Sequence, residues 1–368
     1  MIPVEYYKTA YFACLAFILI VFLLPVLLRK PIEYPIQFQN NIIVILLIIL
    51  SVLFIGLRDP HGDWRFLGDT SSYTRTFESI QNGQRTEFTK DIGFYLFMKL
   101  FTLFTSVKVF YIVCAFLYTY LPYLSFKKQF GPLAIYVFIA YLVSLSFLPF
   151  GINGLRNGLA VAIFLSAFIY FKKKWIFYFI IILSISFHKA MLLPFVAFLI
   201  SSFVLKDNKK ALYFWLLTIP ISLLFRDILE NFAELIFSSD TVIQDDRAST
   251  YFSEEGQKYD VSGQFRWDFI IYSGVAVFVG YWAILKKKLS NPLYTLIFRT
   301  YIIANGMWIL LIYAPYTNRV AYLSWFLMPI VLTVPFISDI RESILNNKKK
   351  LIYVIYGSLL FTIFMELI

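Results

Sequence analysis

The sequence predicts an all-α polytopic integral membrane protein with about 12 transmembrane helices. Of its 368 residues, 60% are hydrophobic and only 15% are charged, and the mean hydropathy is +0.73. In a soluble domain of this size, roughly a quarter of all residues are charged. The chain therefore has too little polar surface to cover a globule in water, and its 41 Phe and 26 Tyr suit buried and interfacial positions in a bilayer.

A helix needs about 20 mostly apolar residues to cross the hydrocarbon core of a bilayer. The segment 92–105 is apolar but short and contains Lys99, so it is predicted to be an amphipathic helix at the membrane interface. The twelve candidate spans are 9–28, 41–57, 107–126, 133–150, 155–171, 175–187, 190–205, 211–229, 268–285, 292–313, 320–337 and 351–368.

Lysine and arginine residues are concentrated in every second loop between these spans. The densest runs are 172–174, 286–288 and 346–350. Because basic residues favour the cytoplasmic side of a membrane, these loops are predicted to be cytoplasmic, with both chain ends outside.

The polar loops on the opposite side are longer and mixed in charge. The predicted organisation is a single transmembrane domain over 1–368, with an extracytoplasmic loop plus interfacial helix at 58–105 and a second extracytoplasmic loop at 238–267.

Several classes of function are not supported by the sequence. The net charge of +11 comes from short clusters between apolar runs, so nucleic acid is not expected as a partner. Cys14 and Cys114 lie inside apolar runs and suit neither a disulfide framework nor a metal site. Neither a P-loop nor the metal and hydrolase motifs occur. We expect no metal and no cofactor.

Three arginines recur at predicted outer helix ends, and they are the main candidates for binding an anion. They are Arg58, Arg156 and Arg319. The planar guanidinium grips phosphate with two parallel hydrogen bonds, and Arg156 also lies at a helix start, where free backbone N–H groups favour anions. Such a cluster suits a diphosphate at the outer membrane surface. The alternative for Arg156 alone is an ordinary interfacial arginine.

Polar neighbours of these arginines are further binding candidates. The loop after Arg58 can also be a solvated loop whose charges pair with one another, and the loop 238–267 can be a polar lid or a sugar-facing surface. The further candidates are Tyr73, Arg75, Asn153, Asn157, Lys189, Tyr316, Asn318, Arg247 and Arg266.

The apolar run 175–205 is interrupted only by His188-Lys189. Basic clusters flank both of its ends, so two helices rather than one are predicted. The first would be about 20 Å long at 1.5 Å per residue, which is too short to reach the far surface. His188 is therefore predicted to lie recessed in the outer leaflet, in a water-accessible pocket, where an imidazole exchanges protons readily near neutral pH.

The order of short motifs resembles a known family. GLRD at 56–59 is followed by LGDTSSY at 67–73, by DIGFYLFMKLF from Asp91, by GLRNGLAVAIF from 154, and by SFHKAMLLPF from 186. This order resembles the EpsG-type family of bacterial polysaccharide polymerases, which includes many Wzy O-antigen polymerases. The resemblance covers roughly residues 41–200 well.

The resemblance implies a metal-independent glycosyltransferase of GT-C-like architecture in the bacterial cytoplasmic (inner) membrane, with its active site facing the periplasm. It would polymerise undecaprenyl-diphosphate-linked repeat units into O-antigen, capsular or exopolysaccharide. Arg58, Arg156 and Arg319 would bind the diphosphate, and Asp69 and His188 are the candidates for the base. Candidate partners are lipid-linked glycans, membrane lipids and a chain-length regulator protein.

Three alternatives stay open at this point. A lipid-linked oligosaccharide flippase or other transporter would also place charged residues deep in helices. A membrane O-acyltransferase would use His188, and a non-catalytic assembly scaffold would need neither His188 nor the arginines. The absence of repeated halves and the crowding of polar groups on one side favour the polymerase.

Overall fold

A computed structural model describes residues 4–28, 36–84, 91–238, 264–314, 316–338 and 346–367. These residues are helical or lie in turns, and none of them forms a strand. The prediction of an all-α fold is confirmed. The loop 238–267, which contains Arg247, lies almost entirely outside the described residues.

The chain divides into two compact units, residues 1–188 with 336–368 and residues 189–335. The prediction of a single transmembrane domain stays a prediction. In the first unit the helices are α1 (Tyr7–Leu28), α2 (Ile36–Gly56), α3 (Trp64–Leu67), α4 (Thr70–Gln81), α5 (Ile92–Thr102), α6 (Val107–Phe130), α7 (Ala134–Leu142), α8 (Phe147–Ile152), α9 (Leu155–Ala167) and α10 (Lys174–Phe187).

The second unit begins with a 3₁₀ turn at Lys189–Met191, and its α11 continues into a π-helical turn at Ile200–Val204. Its helices are α11 (Leu192–Leu199), α12 (Asn208–Leu224), α13 (Arg226–Ser238), α14 (Trp267–Leu285), α15 (Pro292–Leu310), α16 (Thr317–Trp325) and most of α17 (Met328–Ser338). The last helix, α18 (Asn346–Leu367), returns to the first unit.

Four helical segments of the described chain are long and apolar enough to cross a membrane: Val107–Leu142, Trp267–Leu285, Pro292–Leu310 and Thr317–Ile337. A fifth is counted if the bent pair α12 and α13 is one span. These segments support the prediction that the chain is a membrane protein. Further apolar helices are shorter, and they do not confirm the count of twelve spans or the GT-C-like architecture.

Some predicted spans are interrupted in the structure. The span 211–229 bends by 99° at Phe225, between α12 and α13, where apolar sequence gives way to charged residues. The span 133–150 contains a break at 143–146 between α7 and α8. Hydropathy alone does not show the second of these breaks, because the residues around it are apolar except for Ser144 and Ser146.

In the first unit, helices pack as antiparallel neighbours joined by short turns. The Tyr118 ring lies 5.9 Å from the Tyr141 ring, so α7 runs back along α6. The Ser184 hydroxyl on α10 donates to the Ala160 carbonyl on α9 at 2.6 Å, and Gln129 at the end of α6 donates to the Phe168 carbonyl after α9. The basic ends of α6 and the α9–α10 turn therefore lie at the same end of this unit.

The second unit has a buried polar core. The Asn305 amide oxygen on α15 accepts a hydrogen bond from the Trp215 indole on α12 at 2.7 Å. The Asn305 amide nitrogen donates to the hydroxyls of Ser273 on α14 and Ser324 on α16, both at 3.0 Å. Because each amide atom has a partner, the network joins four helices without an unsatisfied amide group.

Candidate functional site

The Asp91 carboxylate binds two cationic or ionisable side chains in the first unit. Its Oδ2 accepts a hydrogen bond from Arg156 Nη1 at 2.9 Å and lies 3.0 Å from His188 Nδ1. Only 4% of the Asp91 side chain is exposed, against 26% of Arg156 and 19% of His188. The carboxylate is thus the buried centre of the cluster, and its two partners reach the surface.

Three helix ends bring this cluster together. Asp91 immediately precedes α5, Arg156 is the second residue of α9, and His188 immediately follows α10. The backbone N–H of His188 still donates to the Ser184 carbonyl at 3.1 Å, and its backbone is extended. The side chain of His188 therefore leaves the end of α10 in a fixed direction.

Gly93 makes the approach of α5 to α10 possible. A Cβ atom at this position would lie 2.2 Å from the Ser186 Oγ and 2.9 Å from the Ser186 carbonyl carbon. Such distances are too short for non-bonded atoms, so only glycine permits this packing. Because Gly93 and Ser186 are each two residues from a member of the cluster, their contact sets the Asp91–His188 distance.

The chemistry of the carboxylate fixes the tautomer of a neutral His188. An ionised carboxylate only accepts hydrogen bonds, so the imidazole Nδ1 must carry the proton that points at Asp91. The Nε2 atom then holds the free lone pair, and no hydrogen bond to Nε2 occurs within the described residues. An oriented imidazole of this kind can act as a general base.

Arg156 lies over the ring of Tyr73, with its guanidinium carbon 5.9 Å from the ring centre. Tyr73 itself is buried against Phe94 of α5, with ring centres 5.8 Å apart. Burial raises the pKa of the Tyr73 phenol, and the Arg156 charge partly opposes this shift. The phenol therefore stays protonated near neutral pH and serves as a neutral support for the cation.

Asp69 lies on a tight turn that packs against Asn153. Gly68 has a φ of +53°, and a Cβ there would lie 2.4 Å from the Asn153 amide. The Asp69 backbone N–H donates to the Asn153 Oδ1 at 3.0 Å. The predicted candidates Asp69 and Asn153 are thus in contact, and Asn153 holds the turn from which α4 begins.

Arg58 is buried, with 1% of its surface exposed. Its Nε donates to the Thr70 hydroxyl at 2.9 Å, its Nη1 donates to the Ile55 carbonyl, and its guanidinium carbon lies 4.1 Å above the Tyr111 ring. The Nη2 atom is buried without a hydrogen-bond partner. Arg58 was predicted to bind a diphosphate. In the described part of the chain its guanidinium instead contacts groups of the protein itself.

The remaining candidates of the first unit are Arg75 and Asn157. Arg75 is exposed on α4, and the Asn157 side-chain oxygen is buried without a hydrogen-bond partner next to Arg156 in the sequence. His61 and Glu78 form an exposed pair at 3.4 Å. Neither Arg75 nor Asn157 touches the Asp91 carboxylate through a hydrogen bond.

The candidates of the second unit are arranged separately. Arg319 lies 5.0 Å from the ring centre of Tyr316, which begins α16 in a left-handed conformation, and the Asn318 side chain accepts from the Arg319 backbone N–H at 2.9 Å. Arg266 pairs with Asp268 through two hydrogen bonds. Lys189 is partly buried at the first turn of this unit. The joint binding of one diphosphate by Arg319 and Arg156 stays a prediction.

Asp91 was not among the site residues predicted from the sequence. In the sequence it stands only as the first residue of the DIGFYLFMKLF motif. The signal that could have identified it is the combination of a lone acid with Gly93, since a glycine two residues into an apolar helix indicates close packing of that acid's surroundings.

The described residues contain no group of three or more His, Cys, Asp or Glu side chains that could hold a metal ion.

A comparison with family models matches residues 41–367 to the EpsG family. The matched range includes Arg58, Asp91, Arg156 and His188, and it extends through the second unit. Searches of curated proteins and of solved structures return no match to this chain.

Proposed function

The chain belongs to the EpsG family, and we propose that it polymerises undecaprenyl-diphosphate-linked oligosaccharide repeat units into a bacterial surface polysaccharide. Family membership supports a role as a polymerase in polysaccharide biosynthesis. The proposal places the reaction on the outer face of the inner membrane, in a protein of about twelve spans with GT-C-like architecture. The product would be O-antigen, capsule or exopolysaccharide.

The observation that carries the proposal is the Asp91 carboxylate shared by Arg156 and His188. Glycosyl transfer from a lipid diphosphate needs a base for the acceptor hydroxyl and positive charge for the leaving group. In this cluster His188 supplies the base through Nε2, and Arg156 supplies the charge. Asp91 keeps both side chains in place.

The reaction can be written on these residues. The acceptor hydroxyl oxygen forms a bond to the anomeric carbon of the donor while its proton moves to His188 Nε2. The bond between the anomeric carbon and the diphosphate oxygen breaks, and undecaprenyl diphosphate leaves with the bonding electrons. The guanidinium of Arg156 has several N–H donors, so it can stabilise the charge on the leaving diphosphate while Nη1 remains on Asp91.

Asp69 is the second candidate base. It begins the turn held by Asn153 and is partly buried. We prefer His188 because the Asp91 carboxylate orients it. Arg58 and Arg319 stay in the proposal as further diphosphate ligands, and a chain-length regulator protein stays as a partner.

Purified protein in proteoliposomes, given lipid-linked repeat units and no other protein, tests the proposal. Polymer formation is the expected result. Translocation of the repeat unit across the bilayer without polymer would instead indicate the flippase.

Replacement of Arg156 by Ala tests the site itself. Because this removes the positive charge proposed to face the leaving group, polysaccharide ladders from cells carrying the variant should collapse towards a single repeat. Full-length ladders at normal expression of the variant would contradict the assignment of Arg156.

A further inference from the structure

A second feature of the first unit lies at the far ends of α4 and α5. These two helices run parallel. Near their starts the rings of Tyr73 and Phe94 are 5.8 Å apart, and at their ends the Gln81 amide donates to the Thr105 carbonyl at 3.4 Å. The Asp91 cluster is at the starting end of the pair, so the length of α5 separates it from the other end.

A cavity of about 480 Å³ lies at that other end. Its volume falls within the range of roughly 300–1,000 Å³ that small-molecule sites occupy. The cavity is shallow and widely open to the surface, and it is formed by the last turns of α4 and α5 and the turn that leads into α6. The lining residues are Glu78, Gln81, Thr102, Leu103, Phe104, Thr105, Ser106 and Val107.

The lining offers hydrogen-bonding groups of the kinds that sugar hydroxyls require. Glu78 supplies a carboxylate, and Ser106 precedes α6 without using its side chain to cap that helix. The hydroxyls of Thr102 and Thr105 donate to carbonyls of their own segment at 2.8 and 2.9 Å, so their lone pairs remain as acceptors. Sugar hydroxyls can donate to these groups and accept from Ser106.

Phe104 adds an apolar surface to this polar lining, because its side chain is 65% exposed. The C–H face of a pyranose ring packs well on such an aromatic ring. The residues that line the cavity include no Lys or Arg. The charged side chain among them is the acidic Glu78, whose carboxylate lies 3.4 Å from His61 Nε2. The chemistry therefore fits a neutral sugar better than a lipid headgroup.

The distance from the Asp91 cluster suits an oligosaccharide. The 11 residues of α5 span about 16 Å at 1.5 Å per residue, which is the length of a short oligosaccharide. The exposed apolar side chains of Leu103 and Phe104 beside the cavity suit the membrane surface. An acceptor repeat unit stays at that surface because its own lipid anchors it, whereas the growing donor chain extends away.

We propose that this cavity binds a sugar of the acceptor repeat unit. That sugar would lie a few sugar residues along the oligosaccharide from the hydroxyl that reacts beside His188. The inference rests on the proposed function. It makes the cavity a specificity site, because a repeat unit of the wrong length or sugar type would not place a ring there while its terminal hydroxyl reaches the base.

The test uses the free oligosaccharide released from the lipid-linked repeat unit by mild acid. This probe has no diphosphate, so it can act only as an acceptor, with the lipid-linked repeat unit as donor. Glu78→Gln and Ser106→Ala should each raise the KM for the free acceptor about tenfold, with unchanged kcat and unchanged KM for the donor. Lys99→Gln, on the same helix but outside the cavity, is the matched control and should change neither constant.

Unchanged acceptor KM in both cavity variants would overturn the proposal, and so would a rise confined to the donor KM. A wild-type protein that makes no polymer at all would refute the proposed function instead. In that case saturation-transfer NMR of the free oligosaccharide on wild type and Glu78→Gln decides about the cavity: loss of transfer in the variant supports it, and equal or absent transfer in both contradicts it.

Discussion

Among the candidate arginines in the described part of the chain, Arg58 is the most deeply buried, and its contacts indicate what it does. It joins the last turn of α2 to the first residue of α4 and to Tyr111 on α6. The Tyr111 hydroxyl in turn donates to the Thr70 carbonyl at 2.9 Å. These contacts fix the start of α4, which carries Tyr73 below Arg156, so Arg58 can act by positioning.

Arg58→Met should lower the free energy of unfolding by about 3 kcal/mol, because two hydrogen bonds from a charged donor are lost. Thermal unfolding in detergent measures this change. Arg58→Lys should be nearly as destabilising, since one ammonium group cannot reproduce the fork that reaches both Thr70 and Ile55.

A direct role of Arg58 in binding the diphosphate gives a different result. Both variants would then unfold at the wild-type temperature, and the KM for the lipid-linked substrate would rise. That pair of outcomes would contradict the positioning role.

Single residues were predictable only where the sequence marks them locally. His188 interrupts a long apolar run, and Arg156 stands at a glycine-flanked helix start, so both were predicted as candidates. Asp91 lies 97 positions before His188 and 65 before Arg156. Contacts over such separations depend on how the helices pack, and one sequence contains no direct record of that packing.

At the scale of helices, the close approach of α5 to α10 gives a sharp prediction. Gly93→Ala should separate the two helices, because the new Cβ overlaps Ser186. The expected cost is about 1–3 kcal/mol of stability and, since Asp91 moves away from His188, about a hundredfold in polymerisation rate. Thermal unfolding and polymer formation in proteoliposomes measure the two effects.

Two further variants make this experiment specific. Gly357→Ala on α18 places its Cβ in open space and should leave the rate unchanged. Ser186→Ala combined with Gly93→Ala removes the closest overlapping atom and should restore part of the rate. A Gly93→Ala protein as active as wild type would show that this contact does not set the site.

The helices of the second unit depend on a buried amide. Asn305→Ala should lower the free energy of unfolding by about 2–4 kcal/mol, because the Trp215 indole N–H loses its acceptor inside the protein. Asn305→Ser, which keeps an acceptor, should cost less. Thermal unfolding in detergent distinguishes the two, and equal stability of wild type and Asn305→Ala would mean that the network contributes nothing.

Helix positions followed from hydrophobic runs, whereas helix interruptions did not. The split of 175–205 at His188 was predicted because polar residues mark it. The break between α7 and α8 lies where the sequence is apolar except for two serines. The bend after Leu224 lies where charged residues begin inside the predicted span 211–229, and hydropathy alone did not separate the two helices there. Tertiary packing decides such bends, and hydropathy is insensitive to it.

At the scale of the whole molecule, the distribution of charge predicts the orientation in the membrane. In the first unit the lysines at the end of α6 and in the α9–α10 turn lie at one end, and the Asp91 cluster lies where α9 begins and α10 ends. With the basic end in the cytoplasm, the cluster faces outward.

Labelling with a membrane-impermeant maleimide in intact cells tests this orientation. The background is a chain in which Cys14 and Cys114 are replaced, and each reporter is a single exposed residue. Ser106→Cys, beside the proposed cavity, should be labelled from outside, and Lys172→Cys should be labelled only after the membrane is permeabilised. The reverse pattern would place the cluster in the cytoplasm.

We propose that the Asp91 carboxylate holds His188 and Arg156 in one catalytic site. The most direct test is the initial rate of polymer formation by Asp91→Asn in proteoliposomes supplied with lipid-linked repeat units. Asp207→Asn serves as the control, because it removes an exposed carboxylate at a helix start that Asn caps about equally well. The Asp91→Asn protein is expected to fold and to polymerise at a rate at least about a hundredfold below wild type, with the control unchanged. A folded Asp91→Asn protein that polymerises at the wild-type rate would show that this carboxylate does not organise the site.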